Sequence, residues 1–97
     1  WLGVYVTPLT EEAVKLYELP VNEGVVIVNI VPGSPADKHG LAIGDIIFEA
    51  NNKPVRKVSD LRAAIEESIS YECVDLKIIR GHRTISKCVP PVVERLY

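Results

Sequence analysis

The residues able to do chemistry are few. The chain has two histidines and two cysteines among 97 residues. His39 sits where a short helix must stop, and His82 lies in a turn between two strands. A cation at a helix end suits the dipole, which explains His39 without a catalytic task. Ser34 and Ser59 stand where helices begin and read as caps, and no G-x-S-x-G or equivalent surrounds any serine. Asp45, after Gly44, reads as a turn or capping carboxylate. Nucleophilic catalysis needs a base beside its nucleophile, and this chain offers no such pairing, so an enzyme is not expected. Cys73 and Cys88 lack CxxC spacing, and two thiols alone do not hold a structural zinc. They can bridge if the last two strands pair in a suitable register; an oxidising compartment favours the bridge and the cytosol disfavours it. No metal or other cofactor is expected.

Composition points the same way. The apolar fraction is 47%, the charged fraction 25% and the net charge −2. These values are ordinary for one soluble domain and poor for binding phosphate backbones, so nucleic acid is not an expected partner. The nearest basic run, Arg80, His82, Arg83 and Lys87, reads as a solvated turn. No apolar stretch approaches the roughly 20 residues that a membrane span requires. There is no signal peptide, and the first residue is Trp1, which suggests a piece of a longer protein.

The elements that must position these residues follow from periodicity and turn chemistry. Leu2–Val6 reads as a strand ended by Pro8. Thr10 caps a helix with Glu11 and Glu12 in its first turn, running to about Leu19 before Pro20. Val25–Val31, a run of branched residues, is a central strand. Ser34–Pro35 opens a short helix to His39, and Gly40 stops it. Ile46–Ala50 is a strand, Asn51–Asn52 a tight turn, and Lys53–Val55 a short return. Ser59 caps a helix to about Ser68 with Leu61, Ala64, Ile65 and Ser68 on one face. Val74, Leu76 and Ile78 alternate with polar residues, Arg80–Arg83 turns, and Thr84–Val89 returns. The expected fold is α+β: a small, partly open, mainly antiparallel β-barrel capped by two helices.

In this order the pieces become specific. Val31-Pro32-Gly33-Ser34-Pro35-Ala36, then Gly40-Leu41, then Gly44-Asp45-Ile46-Ile47, then Asn52-Lys53-Pro54-Val55 resembles a PDZ domain of the HtrA/Deg serine-protease family. The helix between the first two strands and Ser59-Asp60-Leu61-Arg62-Ala63-Ala64-Ile65 are similar to the same family. The resemblance covers residues 1–89, leaving 90–97 as an extended C-terminal tail.

The resemblance implies a peptide-binding module. Leu2, Gly3 and Val4 resemble the family's carboxylate-binding loop, and Tyr5, Val6, Arg62, Ile65 and Ile69 would form the peptide groove. The chemistry suits the residues. A glycine loop aims successive N–H groups at one anion, and an unpaired strand edge accepts an extended peptide. The partners implied are C-terminal or extended peptides with apolar end residues, delivered to an upstream trypsin-like protease of the periplasm or cell envelope. Alternative parents are C-terminal processing proteases, intramembrane metalloproteases and secretion proteins. A structural or oligomerising module with an internally filled groove is the competing class. The tail Val92–Tyr97 ends in two bulky apolar residues. It is expected as a stiff arm that docks into a neighbour's groove and so supports self-association.

Overall fold

The computed structural model describes residues 1–92. The tail residues 93–97, on which the self-association reading depends, lie outside the described residues. The element order is β1 (Val4–Pro8), α1 (Glu11–Leu16), β2 (Val25–Ile30), α2 (Pro35–Lys38), β3 (Ile46–Ala50), β4 (Lys53–Pro54), α3 (Val58–Glu67), β5 (Val74–Arg80) and β6 (Arg83–Val89). A single 3-10 turn, Ser68–Ser70, follows α3. All strand pairs are antiparallel, in the order β1-β2-β3-β5-β6 with β4 beside β3. The sheet does not close: β1 and β6 are its two edges, as the partly open barrel requires.

Branched side chains alternate into one core. Val25 and Ile27 of β2, Ile47 of β3, and Val74, Leu76 and Ile78 of β5 are buried together with Leu2, Val55 and Leu61. Asn51 and Asn52, at φ 52° and 64°, make the two-residue turn between β3 and β4 that asparagine tolerates. Pro8 closes β1 opposite Val25. The Leu9 N–H bonds the Gly24 carbonyl at 2.9 Å, so by ladder alternation Pro8 falls where no N–H is needed.

Several boundaries differ from the sequence reading, each for a local reason. β1 begins at Val4 rather than Leu2, because Gly3 takes a left-handed φ of 85°. α1 ends at Leu16 rather than Leu19, because Glu18 turns left-handed at φ 50°. Leu19 then donates to Val14 and Glu18 to Lys15, which is a Schellman stop built on a glutamate instead of a glycine. Gly40 and Leu41 make the same stop after α2. α3 starts one residue before Ser59, which therefore is not its cap. Asp60 does that work, accepting the Arg56 and Lys57 N–H groups at 2.9 and 3.3 Å. These bonds, with the nearby cations, hold the Asp60 carboxyl below its ordinary value against a smaller effect of burial.

Arg80 corrects the reading of a solvated basic turn. Its guanidinium grips Asp45 through Nε at 2.9 Å and Nη2 at 2.8 Å, and Nη2 also donates to the Gly40 carbonyl. Asp45 is only 1% exposed and also accepts the Ala42 N–H. Donating to the Asp45 carboxylate holds the Arg80 pKa above its ordinary value. Asp45 thus joins the turn role read from sequence to a half-buried ion pair that pins the β3 entry to the end of β5.

The cysteines, left open by sequence, are bonded. Cys88 stands opposite Asp75 in the β5–β6 ladder, and Cys73 lies two residues before Asp75. The Cys73–Cys88 disulfide spans this diagonal with its Cα atoms 5.3 Å apart. No described helix is long and apolar enough to cross a membrane.

Candidate functional site: an apolar cleft beside a free strand edge

Between β1 and α3 lies an open cleft of about 350 Å³. One wall is the β1 edge. Val31 donates to the Gly3 carbonyl at 2.8 Å, and Leu9 to the Gly24 carbonyl. Antiparallel ladders alternate, so these bonds fix which residues face outward. A β-bulge between Tyr5 and Val6 resets the register, and Val4 and Val6, opposite Ile30 and Ile27, both take non-bonded positions. Their N–H and C=O groups therefore turn away from β2, toward the cleft.

The other wall is α3. Val58, Leu61 and Ile65 recur at helical spacing and present one apolar stripe, with Arg62 and Glu66 on the rim. Three contacts fix the far end of this helix. The Ser68 hydroxyl donates to the Ala64 carbonyl at 2.8 Å, and the Asn51 amide donates to Ser68 Oγ at 2.8 Å and to the Ala64 carbonyl at 3.3 Å. Asn51 in turn accepts the Asp75 N–H at 3.0 Å, which ties α3 to β5.

The end of the cleft is Trp1-Leu2-Gly3. The Leu2 carbonyl accepts the Ala36 N–H and the Gly3 carbonyl accepts the Val31 N–H, so both carbonyls are committed to the fold. Among the described residues the N–H groups of Leu2 and Gly3 have no protein acceptor. Both residues are largely buried, and backbone donors left unpaired by the fold are normally taken up by water or a ligand. Gly3 is the one residue type that fits. Its φ is left-handed, and a Cβ there would overlap the side chain of Ser34, the buried cap of α2. The loop can therefore lie this close to α2 only without a side chain.

Of the residues singled out from sequence, Leu2, Gly3, Val4, Val6, Arg62 and Ile65 line this cleft together. Leu2 is its floor as well as part of the core. Tyr5 and Ile69 do not line it. Tyr5 falls between Val4 and Val6 and so points to the opposite face of the strand. Ile69 belongs to the 3-10 turn beyond α3 and is half exposed outside the cleft. Sequence reasoning missed Val58, Leu61 and Glu66. The i, i+3, i+7 spacing of Val58, Leu61 and Ile65 was the available signal, and the late start given to α3 hid its first member.

A second apolar cleft of about 420 Å³ lies between α1 and the sheet, lined by residues such as Leu9, Tyr17, Ile46 and Ile79. The strands beneath it, β2, β3 and β5, are interior and paired on both sides. It therefore offers no strand edge to an added chain.

Comparison with known proteins agrees with this geometry. The PDZ domain profile matches residues 1–89. The chain is 36% identical, over 99% of its length, to a probable periplasmic serine endoprotease DegP-like of Chlamydia trachomatis, of which it covers 19%. It is 30% identical, over 87% of its length, to the periplasmic pH-dependent serine endoprotease DegQ of Escherichia coli, covering 18% of that protein. The chain thus spans about a fifth of the curated relatives it matches. Among solved structures it resembles the HtrA3 PDZ domain bound to a phage-derived ligand, FGRWV. The TM-score is 0.76 and the identity 25%, with 95% of this chain and 84% of that one covered. The fold also matches the HtrA-type protease AlgW with decapeptide, at a TM-score of 0.71 and 22% identity over 93% of this chain and 28% of that one. By this match along nearly its whole length, the chain belongs to the PDZ domain family, in the form found in HtrA-type serine proteases.

Proposed function

We propose that the cleft captures the free C-terminus of an extended peptide with apolar end residues, and that the domain thereby presents substrates to, or regulates, an HtrA-like protease in its parent chain. A PDZ domain is itself a non-catalytic module. The observation that carries the reading is the pairing of two features at one end of the cleft: unpartnered N–H groups at Leu2 and Gly3, and the outward-facing backbone of Val4 and Val6. A peptide carboxylate suits the first, because charge-assisted bonds from backbone N–H groups are among the stronger ones. The peptide backbone suits the second, adding as a strand to β1 with hydrogen bonds any sequence supplies.

Side-chain selection falls to the apolar wall. Val6, Leu61 and Ile65 favour an aliphatic or aromatic residue, whose full burial is worth about 1.5–3 kcal/mol. In this reading residues 1–89 form the binding unit. The relatives' periplasmic description and the Cys73–Cys88 bond both favour an oxidising, extracytoplasmic setting for the parent.

Ile65→Asp tests the assignment of the wall. Ile65 is half-buried against the cleft, so a carboxylate there repels the ligand's own and loses its hydration when the cleft fills. Peptide binding, measured by calorimetric titration, should disappear while circular dichroism stays near the parent spectrum. Retained binding would place the ligand elsewhere.

A further inference from the structure

We propose that the Cys73–Cys88 disulfide is a reducible latch on the helical wall of the cleft, so that a dithiol reductant lowers the domain's affinity for its peptide. The inference rests on the peptide-binding reading of the cleft and adds a control to it.

The latch lies outside the cleft, between the chain that leaves its helical wall and the chain that runs on toward its end. Cys73 ends the segment that leaves α3, and Cys88 lies near the end of β6. Four residues beyond Cys88, the Val92 N–H donates to the Trp1 carbonyl at 3.0 Å, and Trp1 rims the cleft. One covalent bond thus joins the chain leaving the helical wall to the chain that reaches the cleft end. The β5–β6 ladder holds the two chains together from Val74–Val89 onward, with both side chains buried, but the segment between α3 and that ladder has little else to hold it. Among the described residues from Ile69 to Glu72, the one backbone bond outside regular structure is local, from the Tyr71 N–H to the Ser68 carbonyl. Ile69 and Tyr71 are exposed and contribute little packing. The remaining anchors of the α3 end are the Asn51 contact with buried Ser68 and Ala64 and the exposed Lys53–Glu67 ion pair.

The bond is within reach of solvent. Cys88 is exposed and Cys73 half-buried, so attack falls on Cys88 Sγ. A reductant thiolate forms a bond to that sulfur, and the Cys73–Cys88 bond breaks with its electron pair on Cys73 Sγ, which takes a proton. The reductant's second thiolate then attacks its own mixed-disulfide sulfur. Its disulfide closes, and Cys88 leaves as a thiolate and is protonated. Two electrons pass from the dithiol, now oxidised, to the cystine, now two thiols.

Loss of the bond frees residues 69–73 and, through them, the end of α3 that carries Ile65. A cleft competent for only part of the time binds with an affinity reduced by that fraction. The test uses the strongest ligand selected on the oxidised chain from a display library of random heptapeptides with free C-termini. Its affinity is measured on the oxidised chain, on the dithiothreitol-reduced chain after a thiol count, and on Cys73→Ser/Cys88→Ser with and without reductant. Hydrogen exchange accompanies each state. We expect binding roughly three- to tenfold weaker on reduction, with the double variant equally weak and indifferent to reductant. Exchange should quicken from Ala64 to Cys73 while β1 and β2 amides keep their protection. Equal affinity with both thiols free would overturn the latch and leave the peptide reading intact. Uniform loss of protection would overturn it too, reducing the bond to a staple of the whole fold. Failure of the library to yield any ligand would overturn the peptide reading and the latch together.

Discussion

Gly3→Ala should be among the most damaging conservative substitutions in this chain, and its cost has two separable parts. The first is conformational. Gly3 has φ 85°, and a left-handed backbone costs an L-residue about 1–2 kcal/mol. The second is steric. The new methyl would overlap Ser34, which is buried and caps α2 by accepting the Asp37 N–H, so it has no room to retreat. Overpacking of this kind costs about 1–3 kcal/mol. Together the loss is about 2–5 kcal/mol, a large share of the ~5–15 kcal/mol available to a small domain. Urea unfolding followed by far-UV circular dichroism measures it, and avoids Trp1, whose ring lies 3.5 Å from the added methyl. Ser34→Gly separates the parts. In the parent it should destabilise by a few tenths of a kcal/mol, the usual cost of replacing a serine cap with glycine. In the Gly3→Ala background it removes the overlap and should stabilise by ~1–2.5 kcal/mol, leaving the backbone part behind. That reversal of sign is the signature. If Gly3→Ala costs less than ~0.5 kcal/mol, or if Ser34→Gly destabilises both backgrounds alike, the close approach of the loop to α2 is wrong.

The half-buried ion pair and the α3 start give two further tests. Arg80→Ala leaves Asp45, 1% exposed, with the Ala42 N–H as its described side-chain partner, and should cost about 1.5–3 kcal/mol in urea unfolding, less than a fully buried pair because solvent reaches the Arg80 side; Arg80→Lys should recover little, since it cannot grip both carboxylate oxygens. Asp60 has its folded pKa held below the ordinary value of 3.8, so the stability it adds is present above that value and is lost as pH falls through the folded one. Asp60→Ala should therefore be less stable than the parent at pH 7, and the gap should close as thermal melts are taken to lower pH below 3.8. A gap independent of pH would mean that the charge of Asp60 contributes nothing.

The fold was largely legible because its punctuation is chemical. Ser34–Pro35 and Gly40 mark both ends of α2, Asn51–Asn52 marks the β3–β4 turn, and branched residues mark β2 and β5. What escaped was punctuation by unusual residues. Glu18 takes the left-handed stop that glycine usually signals, and Asp60, three residues inside, caps α3 in place of Ser59. Long-range partners escaped as well. Nothing local in Arg80 tells that it crosses to Asp45, 35 residues away, or that Cys73 and Cys88 share a diagonal of one ladder. At the cleft, alternation along β1 placed Val4 and Val6 together, while Tyr5 shows the limit of a contiguous reading: adjacent strand residues face opposite ways. Ile69 fails for a related reason, since α3 has passed into a tighter turn before reaching it, and the helical spacing that would have carried it to the cleft no longer applies.

The central claim is that a terminal carboxylate meets the free N–H groups at the head of the cleft. Titrating ¹⁵N-labelled protein with one library-selected peptide, as its free acid and as its C-terminal amide, tests this directly. The account predicts that the acid binds more tightly by about 1–3 kcal/mol, the range for a charged hydrogen-bonding group. It also predicts that the Leu2, Gly3 and Val4 amides shift most strongly, and that those shifts shrink with the amidated peptide. Equal affinity for acid and amide, or largest shifts around Leu9, Tyr17 and Ile79 beside the second cleft, would contradict it.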